Sequence, residues 1–160
     1  MMPRQQPKTV IPLLLGLLLL SAPARAEERK SVAVLDVVGA PRVQLVIQNV
    51  VKKTHTLVPL AKWNAAAKRL GAMGRASDEI AMVAGDLKVD AVVTATVKKD
   101  KESGTWTLNV SARHGPTGKA VDKLRYPLKG PRVDPATLKQ LANEVGPAVD
   151  QAIMGPPAEP

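Results

Sequence analysis

The sequence predicts an α+β fold: a two-layer sandwich with a βαβ opening, an antiparallel three-strand meander and a C-terminal helix. Three observations carry the prediction. Residues 31–38 (SVAVLDVV) form a nearly continuous apolar run, followed at once by a segment with helical spacing. Residues 89–97, 105–113 and 119–128 alternate apolar and polar side chains, the period of two that a half-buried strand requires. Asp134-Pro135 then opens a long stretch whose apolar residues recur three and four apart. Parallel strands joined by a helix cross over right-handedly, and strands joined by short loops pair with their neighbours, so this order implies the topology.

The first strand (31–38) is apolar on both faces, the mark of a central strand covered on both sides. Gly39-Ala40-Pro41 breaks it, and Pro41 suits a first helical turn, where its missing N–H would have had no partner. Val43, Val46, Ile47, Val50 and Val51 then share one face of a helix over 42–53. Residues 55–59 read as a short second strand and 60–70 as a short helix that turns Trp63 and Leu70 inward. Residues 71–75 form a joint. Ser77 is placed to cap the next helix, with Asp78 and Glu79 facing the positive end of its dipole and Ile80, Val83, Ala84 and Leu87 as its buried stripe.

In the third strand (89–97), Val89, Ala91, Val93, Ala95 and Val97 lie on one side, and residues 98–104 make a charged hairpin loop. Trp106, Leu108, Val110 and Ala112 line the inner side of the fourth strand, leaving Thr105, Thr107, Asn109, Ser111 and Arg113 on a wet face. Beyond the turn Gly115-Pro-Thr-Gly118, Leu124, Tyr126 and Leu128 point in, and Lys123 and Arg125 point out. The last helix has Asp134 as cap, Pro135 at its first position, and one stripe of Leu138, Leu141, Ala142, Val145, Val149 and Ile153. Gly146-Pro147 is expected to kink it, because Pro147 cannot donate to the carbonyl four residues back.

The N-terminus carries Arg4 and Lys8, an apolar run at 10–20 and a small-x-small site at Ala24-Arg25-Ala26, the pattern of a cleaved secretory signal peptide. That run is shorter than the roughly 20 residues needed to cross a bilayer. With no Cys after it, a lipid anchor on cysteine is excluded. The expected organisation is a signal peptide at 1–26, one α+β domain at 27–154 and a disordered tail at 155–160, in a protein exported to the periplasm or secreted. The chain's net charge of +9 then falls to +6, with twenty basic and fourteen acidic residues in the mature part.

Composition narrows the chemistry further. No Cys means no disulfide, no thiolate nucleophile and no Cys-based metal site. His55 and His114 have no metal-ligand spacing, and no cofactor is expected. Asp36 and Gly39 precede a helix, but neither G-x-G-x-x-G nor a P-loop occurs, so they read as a strand end and a turn. Ser31, Ser77, Ser103 and Ser111 lack the G-x-S-x-G context of a nucleophile elbow, and the chain reads as no enzyme. Without Phe, the three aromatic residues Trp63, Trp106 and Tyr126 are needed in the core, which leaves none to stack on bases and speaks against nucleic acid.

The basic residues remain as the candidate binding face: Arg113, Lys123 and Arg125 on the meander, with Lys98, Lys99 and Lys101 in the adjoining loop. Such a face meets an acidic protein, an anionic polymer or lipid head groups by charge complementarity; the plainer reading is a solvated face that serves solubility.

SVAVLDV at 31–37, IAMVAGDLKVDAVVTATV at 80–97 and WTLNVSARHGPTGKAV at 106–121 resemble a small α/β domain of the cell envelope. It is the kind found at the N-terminus of TolB and in the CsgG and penicillin-binding-protein-activator relatives. The stretches resemble that family's first strand, its helix with the following strand, and its paired strands with their turn. None is a catalytic signature, so the resemblance implies a fold and an envelope setting and carries over no binding residue. The resulting expectation is an exported interaction domain that binds another envelope component, a protein, as an accessory or assembly factor. The alternative is a binder of anionic polymer or lipid head groups through Arg113, Lys123 and Arg125. Nothing in the sequence specifies an oligomeric state.

Overall fold

The computed structural model describes residues 28–158; the signal peptide expected at 1–26 lies outside them. The elements are β1 (Ser31–Val34), α1 (Pro41–Thr54), β2 (Thr56–Val58), α2 (Leu60–Leu70), α3 (Ser77–Leu87), β3 (Ala91–Lys99), β4 (Trp106–His114), β5 (Ala120–Leu128) and α4 (Pro135–Met154). They build one sheet in the order β2-β1-β3-β4-β5, with β1 parallel to both β2 and β3 and the last three strands antiparallel. This is the α+β class, element order and meander that the sequence predicts.

Helices cover the sheet unequally. On one face Val43, Ile47 and Val51 of α1 and Leu141, Val145 and Val149 of α4 close over Val32, Val34, Val93, Leu108, Val110 and Tyr126. On the other, Trp63, Ala66 and Ala67 of α2 and Ile80, Val83 and Ala84 of α3 close over Ala33, Leu35 and Val92. The doubly apolar β1 is thus buried on both sides, as its composition requires. No residue of β4 or β5 belongs to the second core, so the molecule is two layers deep over β4 and β5 and gains a third layer at β1 and β3.

Several boundaries differ from expectation for identifiable reasons. Regular β1 ends at Val34, although the Leu35 N–H still donates to the Val93 carbonyl (3.0 Å). Beyond it Arg75 donates to the Asp36 carbonyl (2.6 Å) and carboxylate (3.0 Å), and Val38 is left 81% exposed. Val89 precedes β3 and packs with α2 and α3, on the opposite side from Ala91 and Val93. β3 continues through Lys98 and Lys99, which pair with Thr107 and Trp106, so the hairpin loop begins at Asp100.

Ser77 is the first helical residue of α3 rather than its cap, one position too late for its hydroxyl to serve. Glu79 supplies the reciprocal contact, its carboxylate accepting the backbone N–H groups of the cap residue Ala76 (3.4 Å) and of Gly74 (3.3 Å). Asp134 caps α4 as expected: one carboxylate oxygen accepts from the Thr137 N–H at 2.8 Å and the other from its hydroxyl at 3.1 Å. α4 runs on past the exposed Pro147 to Met154.

Candidate functional site

The uncovered side of the meander is defined by strand register. Directly opposite residues of an antiparallel pair share a face. Pairing therefore places Thr94, Ser111 and Lys123 in one row, Thr96, Asn109 and Arg125 in the next, and Lys98, Thr107 and Pro127 in the third. This side presents Ser111, Thr96, the Asn109 amide, Pro127 and three cations, while Thr94 and Thr107 are buried. No acid lies in these rows, and Asp100 follows Lys98 at the loop end of the same face. Lys98, Lys123 and Arg125 are exposed, and among the described residues none of them enters an ion pair.

Of the six residues singled out in the sequence, the fold brings these three together. Arg113 lies one row further, half-buried, and its guanidinium donates to the Gly118 carbonyl at 3.0 Å, so it braces its own hairpin. That turn is packed tightly: a Cβ on Gly118, where φ is +66°, would fall 1.8 Å from the Ser77 carbonyl oxygen, so only glycine fits. Lys99 points to the opposite side, its ammonium 5.9 Å from the centre of the half-buried Trp106 ring. Lys101 stands exposed in the loop. In that loop the Asp100 carboxylate accepts the N–H groups of Ser103 (2.9 Å) and Glu102 (2.8 Å). These bonds hold its carboxyl below the usual range, with the nearby charge of Arg125 a smaller contribution.

Backbone geometry adds what side chains alone do not show. In an antiparallel ladder, alternate residues direct both N–H and C=O to the same neighbour. Asp100 donates to the Thr105 carbonyl and His114 to the Lys119 carbonyl, which fixes the phase: odd-numbered residues of β4 bond to β3 and even-numbered ones to β5. On β5 the inward-bonding partners are therefore Leu124, Tyr126 and Leu128. Lys123, Arg125 and Pro127 turn their backbone groups outward, along the edge where the sheet ends. Pro127, which has no N–H to give, occupies a position where none is needed.

Each histidine contacts α4. His55 Nε2 lies 3.1 Å from the Asp150 carboxylate, while its Nδ1 meets the Thr54 hydroxyl (2.8 Å). The Thr54–His55–Asp150 line copies the order of a nucleophile, base and orienting acid. Asp150, however, is 67% exposed, so water competes for its carboxylate and the line lacks the dry preorganisation that such chemistry uses. His114 Nδ1 donates to the Ala152 carbonyl at 2.9 Å, near the C-terminal end of α4. Asp36 is held by Arg75. Among the described residues no group of three or more metal-binding side chains converges.

A cleft of about 590 Å³ opens between the N-terminal ends of α1 and α4, lined by residues 39–43 and 131–135. Its one acid, Asp134, has both oxygens engaged by Thr137, so the cleft presents no carboxylate pair for acid–base work. Among the described residues no helix is long and apolar enough to cross a membrane.

Sequence reasoning missed Thr96, which carries the polar face onto β3 beside the buried Thr94, and Pro127, which marks the direction of the free backbone. The polar half of the alternation in residues 91–99 and a proline inside a strand pattern were the available signals.

No protein-family model matches the chain, and no curated protein matches it in sequence. Among solved structures, TolB from Acinetobacter baumannii is similar with a TM-score of 0.50 and 14% identity, over 82% of this chain and 30% of that one. The LpoB C-terminal domain from Escherichia coli gives 0.48 and 16%, over 67% of this chain and 88% of that one. Lipoprotein GNA1162 from Neisseria meningitidis gives 0.46 and 15%, over 76% and 97%. The resemblance expected from the sequence is thus present as a structural likeness, and at such identity it speaks to the fold alone.

Proposed function

We propose that the chain is an exported, non-enzymatic interaction domain that binds a protein of the cell envelope as an accessory or assembly factor. The domain spans 27–154 and follows a leader cleaved after Ala26. One observation carries the reading: a helix-free sheet face bears Lys98, Lys123 and Arg125 with no acid among its rows. Three cations on a rigid sheet face, with Asp100 the acid at its loop end, leave a positive excess that suits a partner of opposite charge. The leader pattern supports export, and the TolB-like fold agrees with an envelope setting. The alternative, anionic polymer or lipid head groups, draws on the same cations and differs in its salt dependence.

Cross-linking in cells tests the reading. A photoreactive residue at Asn109, in the middle row of the face, is expected to capture an envelope protein. One at the exposed Asn64 on α2 serves as the control. Adducts that form only from Asn109 and disappear in K123E/R125E support the proposal. Adducts only from Asn64, adducts indifferent to the charge reversal, or none from Asn109 overturn it.

A further inference from the structure

The geometry points to β5 as an acceptor edge for an extended acidic segment of the partner, a deepening that rests on the protein-binding reading of this face. Two sets of groups coincide there. The outward backbone of Lys123 and Arg125 offers two N–H donors and two carbonyl acceptors, and among the described residues no backbone hydrogen bond takes them. The side chains of the same two residues stand on the open face. Alternate residues of a strand lie about 7 Å apart, and a strand added beside β5 places its own alternate side chains directly opposite. Acids two residues apart on that strand would therefore meet Lys123 and Arg125 while its backbone completes the ladder. This is strand addition with charge setting both register and partner.

The site is bounded at both ends. Pro127 removes the next donor, and the β-bulge between Ala112 and Arg113 shifts register at the start of β5. The opposite sheet edge, β2, has only three residues (Thr56–Val58) and is closed by Pro59, so it offers much less ladder. The features that admit an acidic strand also reject a second copy of this chain, whose own β5 would bring Lys123 and Arg125 against like charge.

The experiment uses the chain from residue 27 and two short synthetic peptides, one alternating Glu and Thr, the other Lys and Thr. Binding is read together with amide hydrogen exchange resolved by residue. The acidic peptide is expected to bind and to slow exchange at Lys123 and Arg125 while leaving the already bonded Leu124 and Tyr126 unchanged. K123E/R125E, exposed substitutions whose folding is checked by circular dichroism, is expected to weaken the acidic peptide by about tenfold and to favour the basic one. Binding without protection at Lys123 and Arg125 overturns strand addition while leaving the face as a docking surface. Equal binding of both peptides, or no binding, overturns the acidic-strand assignment; cross-linking from Asn109 then decides separately whether the face binds protein at all.

Discussion

Tyr126 shows how one buried polar atom ties two layers together. Its ring is in the core, and its hydroxyl donates to the Glu144 carboxylate on α4, which also accepts from Gln140 at 3.1 Å. Burial, and then the acceptor Glu144, push the phenol up from its ordinary value; the same hydroxyl, followed by Gln140, draws the Glu144 carboxyl down. The signs define two windows. A carboxyl depressed on folding stabilises above its ordinary pKa, and that contribution is lost as the pH falls through the folded value. A phenol raised on folding stabilises fully below about pH 10, and the contribution fades as the pH climbs toward the folded value. Tyr126→Phe should therefore cost roughly 1 kcal/mol near neutrality and little at either extreme. Urea midpoints across pH would give a bell-shaped difference between wild type and variant, and parallel curves would show that the bond contributes nothing.

At the scale of elements, β5 is an edge strand with Lys123, Arg125 and Pro127 in its outward positions, the residue types that blunt an exposed ladder. K123V/R125V/P127V removes both charges and restores the missing donor without touching the inward Leu124, Tyr126 and Leu128. The variant is expected to self-associate with rising concentration, as measured by sedimentation, while the wild type is not driven to do so through this edge. An unchanged sedimentation profile would mean that the edge is protected by something other than these three residues. The elements themselves were largely legible, because periodicity reports burial: α1 and α2, the meander and the Asp134 cap all follow from spacing. What misled was local competition. Arg75 of a distant joint holds Asp36 just past β1, and Glu79 binds the N–H groups ahead of α3 while Ser77 falls inside the helix. β3 outlasts its apolar residues because hairpin pairing continues through Lys98 and Lys99. None of these contacts is encoded in periodicity.

For the whole molecule, the charge had to be located before it could be interpreted. The sequence held Lys123, Arg125 and Lys98 as candidates, but only the register separates them from Lys99 on the other side and from Arg113 in its hairpin. The free backbone of β5 was illegible, since it depends on hydrogen-bond phase and not on residue type. This placement leads to a last expectation. A polyanion binder would neutralise many phosphates or sulfates at once and lose affinity steeply with salt. Here three cations share the face, two of them two residues apart on one strand, which supports only a shallow salt dependence. The chain from residue 27 is expected to leave heparin and anionic liposomes at or below physiological ionic strength. Capture of the acidic peptide should outlast that wash, because backbone bonds are not screened as exposed ion pairs are. Retention on heparin well above physiological salt, abolished by K123E/R125E, would instead make the face a polyanion site and displace the protein partner.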